Sequence, residues 1–166
     1  MLAAGADALV LCANTAHVVA DRVQAAVPLP LIHIAVATAD AVTRRGLKRV
    51  ALLGTQVTME HPFYRDALAQ AGITAIVPPK QTTRDYIQRT LRDELGAGVV
   101  RVETRAAYLA IVQELIAAGA EGIILGCTEI PLLLGQADVS VPVFDTTRIH
   151  ADAAVRFALG ISVNAD

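Results

Sequence analysis

The sequence predicts an α/β protein in which parallel strands alternate with helices. Short apolar runs, each of about five residues, recur along the chain, and stretches with a helical pattern separate them. Such nearly continuous apolar strands are typical of parallel sheets that helices cover on both faces. The composition agrees, because 54% of the 166 residues are hydrophobic, 18% are charged and the mean hydropathy is +0.50. The chain must therefore bury a large aliphatic core.

The apolar runs and the stretches between them define the elements in order. Six runs bounded by polar or turn residues predict strands at 8–12, 31–34, 49–54, 73–77, 122–126 and 141–145. The intervening stretches predict helices at 15–26, 35–45, 60–71, 83–95, 103–118, 129–134 and 147–159. Pro62 fits the first turn of its helix, where proline is tolerated. The charged run at 84–94 predicts an exposed helix with ion pairs between residues four apart.

Two passages of the chain resemble each other and predict two related lobes. Residues 4–15 read AGADALVLCANT, and residues 118–129 read AGAEGIILGCTE. In each passage a buried strand follows the end of a helix, and a cysteine stands where the strand passes into the next helix. We expect a partial first lobe at 1–46, completed by a returning helix at 146–166, and a second α/β lobe at 47–145.

The predicted first lobe is incomplete. It offers only two strands, and residues 1–4 look like the tail of a helix whose preceding strand is absent. A pair of parallel strands by itself leaves both edges unpaired and its faces poorly covered. We therefore expect either a fragment or a chain that depends on a partner, with a homodimer as the expected assembly.

Charge and hydropathy exclude several classes of protein. The net charge is −2, and the lysines and arginines are scattered, so nucleic acid is not an expected partner. No apolar stretch approaches the ~20 residues that a membrane-spanning helix needs. The first residues lack the basic and apolar regions of a secretory signal, so we expect a cytoplasmic protein. The four histidines lack the spacing of a metal site, and no metal is expected.

Cys12 and Cys127, 115 positions apart, are the residues most suggestive of chemistry. A thiol at a strand end that precedes a helix has its pKa lowered by the helix N-terminus. One thiolate and one thiol on opposite sides of a substrate carbon could remove and return a proton, which is racemisation. Spacing alone leaves three alternatives open: buried structural thiols, a cysteine-based site and a redox or disulfide pair.

Three motifs resemble the aspartate/glutamate racemase superfamily. They are CANTAH at 12–17, LGTQVTMEHPFY at 53–64 and GCTEI at 126–130. The resemblance covers nearly the whole chain and implies two pseudo-symmetric α/β lobes, no cofactor such as PLP, and a small amino acid as substrate. Full-length members begin with a further strand, helix and strand that this chain does not contain.

The resemblance also implies roles for individual residues. Cys12 and Cys127 match the two catalytic cysteines, which act on opposite faces of the amino acid. Glu129, where glutamate racemases tend to carry histidine, indicates the aspartate type. The positions that match substrate-binding residues are Asn14, Thr15, Thr55, Thr58, Arg101, Thr128 and Glu129. Arg101 is the first candidate for the cation that binds the substrate's side-chain carboxylate, and Arg105 is the second.

The sequence therefore predicts a racemase that interconverts L- and D-aspartate, or a close acidic amino acid, through two cysteines. A hydantoin racemase-like isomerase is an alternative within the same superfamily. An alternative of another class is an impaired or inactive fragment that binds a small carboxylate or a partner subunit, and the incomplete first lobe favours it. For Thr55 the simpler alternative is a capping residue in a loop.

Overall fold

The computed structural model describes residues 5–161 and contains two parallel sheets, which confirms the predicted α/β class. The strands are β1 (Leu9–Val10), β2 (Leu31–Ile32), β3 (Arg49–Gly54), β4 (Thr74–Ile76), β5 (Ile123–Gly126) and β6 (Val143–Asp145). The α-helices are α1 (Ala20–Ala26), α2 (Ile34–Arg44), α3 (Gln56–Glu60), α4 (Pro62–Gln70), α5 (Gln81–Asp93), α6 (Val102–Ala117) and α7 (Thr146–Ala158). The predicted helix tail at 1–4 and the last five residues of the returning helix lie outside the described residues.

The larger sheet has the strand order β4-β3-β5-β6, and helices cover both of its faces. Along β3, Ala51 and Leu53 pack toward α5 and α6, whereas Val50 and Leu52 pack toward α2 and α4. All four side chains are fully buried. Because successive side chains of a strand point to opposite faces, a strand covered on both sides reads as an unbroken apolar run. This explains why the sequence predicted the bounds of β3 correctly.

The smaller sheet pairs only β1 with β2, in parallel, through Leu9 with Leu31 and Val10 with Ile32. Both strands are two residues long, shorter than the predicted 8–12 and 31–34, because a strand extends only as far as a neighbour pairs with it. Helix α7 packs against α2, and α2 also packs on the larger sheet through Ala39 and Val42. The two sheets are thus joined through α2, while the division into lobes at residues 46 and 146 stays a proposal.

Two predicted helices were wrong in detail, and proline explains both. The helix predicted at 60–71 begins only at Pro62, as α4, because His61 is extended at φ −72° and ψ 143° and separates it from α3, which ends at Glu60. At 129–134 the structure has only a 3₁₀ turn at Ile130–Leu132. A residue that precedes proline is disfavoured from the α region, and Pro62 and Pro131 stand at these two places. Pro62 occupies the first turn of α4, as predicted.

The helical segment after Cys12 also begins differently from the prediction. Residues 15–19 form a 3₁₀ turn, and α1 follows at Ala20–Ala26. Among residues 5–161, no helix is both long and apolar enough to cross a membrane.

Candidate active site

A small cavity of about 270 Å³ lies where the carboxyl ends of β3 and β5 meet the loop that follows β1. The first cysteine motif contributes Ala13, Asn14 and Thr15 to its wall. The second contributes Gly126, Cys127, Thr128 and Glu129, while Thr55 and three residues of α5 complete it. Clefts beyond the carboxyl ends of parallel strands are the usual binding sites of open α/β sheets. The fold therefore brings the two cysteine motifs to one cavity.

Three threonine hydroxyls connect the two sides of this cavity. The Oγ1 atoms of Thr15 and Thr55 lie 2.8 Å apart, and that of Thr55 lies 3.0 Å from that of Thr58. Thr55 is also the N-cap of α3, because its hydroxyl accepts from the backbone N–H of Thr58 at 3.2 Å. The capping role expected for Thr55 is therefore confirmed, but the helix that it caps begins at Gln56 rather than at Glu60. Thr58 is fully buried, so it supports Thr55 from behind.

Asn14 is buried in the cavity wall and holds one unused acceptor. Its Nδ2 donates to Thr146 Oγ1 at 2.9 Å, and the Thr146 hydroxyl donates to the Leu125 carbonyl at 2.8 Å. Because that hydroxyl proton is committed to Leu125, the amide nitrogen of Asn14 must be the atom that faces Thr146. The Oδ1 atom of Asn14 then has no hydrogen-bond partner among the described residues. A buried acceptor without a partner is costly, and a ligand donor would satisfy it.

Cys127 and Glu129 form a thiol–carboxylate pair at the cavity. The Cys127 thiol donates to Glu129 Oε2 at 2.8 Å. Burial, and after it the hydrogen bond to Glu129, raise the pKa of Cys127 to about 12. Burial also acts to raise the pKa of Glu129, but hydrogen bonds from Cys127 and Thr128 outweigh it, so the net pKa is lowered. The resting pair is therefore a neutral thiol and a carboxylate.

The lowered pKa expected for Cys127 is wrong, and the local structure gives the reason. A 3₁₀ turn of three residues, not an α-helix, follows β5, so the helix dipole that would stabilise a thiolate is missing. Cys12 differs from Cys127 in its surroundings, because it is exposed and lies just before the residues that line the cavity. Both cysteines are free thiols in the structure.

The cavity holds a different arginine from the two that the sequence singled out. Arg101 is exposed at the start of α6, with its Nε 3.8 Å from Glu94 Oε2, and Arg105 pairs with Asp138. Neither lines the cavity, whereas Arg92 of α5 does, together with Gln88 and Leu91. The exposed charged helix expected at 84–94 is confirmed at Arg92, whose side chain is 69% exposed, but Arg92 pairs with the neighbouring Asp93 at 2.6 Å rather than with a residue four positions away. Residues 88, 91 and 92 lie on one face of a helix, and this spacing was the sequence signal that could have identified them as one wall of a site.

Three histidines pack behind the first cysteine motif. The buried His17 donates from Nδ1 to the Ala13 carbonyl at 2.9 Å and accepts from the Ile34 N–H at Nε2, at 3.1 Å. These two bonds fix a neutral tautomer and tie the Cys12 loop to the start of α2. The ring of His17 lies 4.6 Å from that of His33 and 5.4 Å from that of His150. His17 is thus a positioning residue for the loop.

Acidification is expected to lower the free energy of unfolding as the pH falls below about 6.5, the value of an unfolded histidine. Burial lowers the pKa of His17, and burial together with His17 lowers the pKa of His33 to about 4. The unfolded chain therefore takes up protons first, so stability is complete above pH 6.5 and is lost toward pH 4. The loss is on the order of 2 kcal/mol.

Urea unfolding between pH 7 and pH 5 checks this expectation, because carboxylates contribute little in that range. His33→Gln should flatten the dependence on pH, whereas His61→Gln, outside the cluster, should keep the slope of the original protein. An equal slope in all three proteins would contradict it.

The fold and the cavity define a class of α/β protein with a cavity at the carboxyl ends of parallel strands that is lined by a thiol and short polar side chains. The family model for Asp/Glu/hydantoin racemases matches residues 1–154. The chain belongs to the Asp/Glu/hydantoin racemase family.

Solved structures and curated proteins show the same relationship. A candidate Asp/Glu racemase from Yersinia pestis is 48% identical with a TM-score of 0.89, and an aspartate racemase homologue from Pyrococcus horikoshii is 37% identical with a TM-score of 0.83. Each match covers 94% of this chain and 68% of the other.

A broad specificity amino-acid racemase from Bacillus subtilis is 26% identical over 91% of this chain and 64% of its own length. A glutamate racemase from Pseudomonas putida is 34% identical over 87% of this chain and 55% of its own. The chain spans about half to two thirds of these curated relatives.

Proposed function

We propose that this protein is a cofactor-independent racemase of aspartate or a close acidic amino acid, with Cys12 and Cys127 as its acid and base. The observation that carries the proposal is the cavity shared by the two cysteine motifs, in which the Cys127 thiol is hydrogen-bonded to Glu129. Membership of the racemase family supports the class of reaction. The aspartate type rests on Glu129 in the second motif.

The resting protonation of Cys127 assigns it the role of acid in the first turnover. The reaction requires Cys12 to enter as the thiolate, which takes the proton from Cα on one face while the Cys127 thiol gives its proton to Cα on the other face. The reaction leaves Cys12 as a thiol and Cys127 as a thiolate, so the proton count is unchanged. Glu129, which accepts from the Cys127 thiol at 2.8 Å, holds the sulfur in position before the transfer. Two bases of opposite protonation state are what a two-sided proton transfer requires.

The polar groups of the cavity suit the main-chain part of an amino acid. The unpartnered Oδ1 of Asn14 accepts from the substrate ammonium. The hydroxyls of Thr15 and Thr55 lie 2.8 Å apart, so one of them donates to the α-carboxylate while the other holds it in position. The Thr128 hydroxyl turns from Glu129 to the α-carboxylate when the substrate binds. We propose that these four residues bind the substrate and that Thr58 positions Thr55.

The side-chain carboxylate of the substrate needs a cation, and two exposed arginines are candidates, each of which would exchange its present partner, Asp93 for Arg92 or Glu94 for Arg101, for the substrate. Arg92 lines the cavity, and Arg101 matches the family position but lies at the start of α6. We expect Arg92→Gln to raise the KM for aspartate by about tenfold or more, because a charge-assisted bond to the carboxylate is lost. Exchange at Cα of alanine, which lacks that carboxylate, should change little.

Arg101→Gln is the matched control, since it removes the same charge outside the cavity. If Arg101→Gln raises the KM for aspartate and Arg92→Gln does not, the role belongs to Arg101, and closure of the α6 segment onto the substrate would follow.

Proton exchange tests the proposed function directly. The protein is incubated with L-aspartate in deuterated water, and the Cα proton signal is followed by NMR, with L-glutamate and a 5-substituted hydantoin in parallel. Loss of the Cα signal of aspartate together with formation of D-aspartate supports the racemase. Exchange of the hydantoin alone assigns the protein to hydantoin racemases.

A binding protein without catalysis is the second candidate, and the exposure of Cys12 outside the cavity wall favours it. No exchange with any of the three compounds, combined with measurable binding of aspartate, would establish that role. We also propose a homodimer, because β1 and β2 each pair with only one strand among residues 5–161. Sedimentation equilibrium measures that assembly.

A further inference from the structure

A second cavity, of about 570 Å³, lies between the end of α2 and the start of α7. Three arginines line it: Arg44 and Arg45 at the end of α2, and Arg148 in the first turn of α7. Its described lining shares no residue with the cavity that contains Cys127. It is therefore a separate feature of the molecule, and nothing in the proposed racemase reaction uses it.

The three guanidinium groups have no partner within residues 5–161. None of them forms an ion pair or a side-chain hydrogen bond with another described residue, whereas Arg84, Arg92, Arg101 and Arg105 all do. The one carboxylate in the cavity wall, Asp145, accepts from the backbone N–H groups of Thr147 and Arg148 as the N-cap of α7. Its charge is thus already engaged, and the cavity has a net charge of two positive units.

Helix electrostatics explains two of these arginines but not the third. Cations are favoured at a helix C-terminus, which is where Arg44 and Arg45 stand. Arg148 stands in the first turn of α7, where the helix dipole disfavours a cation. A bound anion would stabilise Arg148 there and would also reduce the repulsion among the three charges.

An apolar groove adjoins this cavity. The groove, of about 780 Å³, lies between α2 and α7, and Arg44 and Arg148 line both spaces. Its walls include the exposed side chains Val36, Val155 and Phe157. Two carboxylates, Asp40 and Asp152, and one further cation, Arg156, also line the groove, so the net positive charge is greater in the cavity. An anion is therefore favoured on the cavity side of Arg44 and Arg148 and an apolar group on the other.

We propose that the two spaces form one binding site for a small phosphate monoester with an apolar body. A phosphate monoester carries a charge of about −1.5 to −2 at pH 7, which matches the net charge of the cavity. Arginine binds phosphate oxygens bidentately, and Arg44 and Arg148 stand where the phosphate and the apolar body would join. The groove then buries the apolar body between α2 and α7.

The probe for this site is 1-naphthyl phosphate, whose fluorescence reports binding to the full 166-residue chain at low ionic strength. We expect it to bind at least about tenfold more tightly than 1-naphthol or inorganic phosphate, because each of these fills only one part of the site. Arg44→Gln and Arg148→Gln should each weaken binding by about tenfold, while Arg148→Lys should weaken it less. Arg22→Gln, an exposed arginine elsewhere, is the matched control and should leave binding unchanged.

Three results would overturn the proposal. Equal affinity for 1-naphthol would reduce the site to an apolar surface, and equal affinity for inorganic phosphate would remove any role of the groove. Equal weakening by Arg22→Gln would show a general effect of charge. Circular dichroism of each variant distinguishes these results from loss of the fold, and aspartate exchange, which uses the other cavity, is measured separately.

Discussion

Cys127→Ser is expected to reduce the rate of racemisation by about 10²–10⁴-fold, the usual contribution of a positioned acid or base. A serine hydroxyl can still donate to Glu129, so the geometry of the pair should survive. The hydroxyl is a far weaker acid than the thiol, so it delivers a proton to Cα much more slowly. The measurement is Cα–H exchange of L- and of D-aspartate in deuterated water.

Cys12→Ser is the matched variant, because it removes the other sulfur from an exposed position and leaves the half-buried pair of Cys127 and Glu129 intact. In a two-base reaction both variants lose racemisation. Each variant keeps one thiol, which can exchange the Cα proton of one enantiomer with solvent. The enantiomer that exchanges identifies the face of the substrate on which the remaining thiol acts. Racemisation at the original rate in Cys127→Ser would remove that thiol from the mechanism, and thermal unfolding verifies that both variants are folded.

Gly54→Ala is expected to lower the free energy of unfolding by about 2–3 kcal/mol, which corresponds to a fall in Tm of about 5–10 °C for a chain of this length. A Cβ atom at Gly54 would lie 2.7 Å from the Gly126 carbonyl oxygen and 2.9 Å from Thr58 Cγ2. The first contact is with backbone of the paired strand β5, which cannot rotate away. The strands must therefore shift where they lead into Thr55 and Cys127.

Gly135→Ala is the control for this prediction, since a Cβ atom there meets nothing within 4 Å. Calorimetry should show an unfolding temperature for Gly135→Ala close to that of the original protein. If Gly54→Ala unfolds at the same temperature as Gly135→Ala, the close approach of β3 and β5 does not limit the packing of the sheet. Aspartate exchange by Gly54→Ala should also fall, because its strand carries Thr55.

The sequence predicted the larger sheet better than the smaller one, for a physical reason. In β3 after the exposed Arg49, and in β5, both faces are buried, so each position is apolar or glycine, and the apolar run in the sequence marks the strand. In β1 and β2 the strand length depends on pairing with a neighbour, which no local pattern encodes. The two cysteine motifs could be recognised in the sequence because each follows an apolar run, that of β1 or that of β5. Their meeting at one cavity depends on the topology, which brings the carboxyl ends of these two strands to one side.

The protonation of the site was not readable from the sequence. The expected effect of a helix N-terminus on Cys127 assumed an α-helix after β5, and a 3₁₀ turn took its place. The pKa of the thiol follows instead from its burial and from Glu129. Burial depends on what packs over a residue, so it is a property of the assembled chain. The sequence did not single out Arg92 as a candidate site residue for the same reason, because the packing of α5 decides that Arg92 lines the cavity.

The sequence by itself determined the α/β class, the strands with two buried faces and the two cysteine motifs, because each depends on residue type and on local periodicity. The tertiary structure decided which cation lines the cavity, why Asn14 keeps an unused acceptor, and how three arginines come to surround a second cavity. These features arise where segments distant in sequence meet, and the charges and hydrogen bonds there depend on distances that only the packed chain sets.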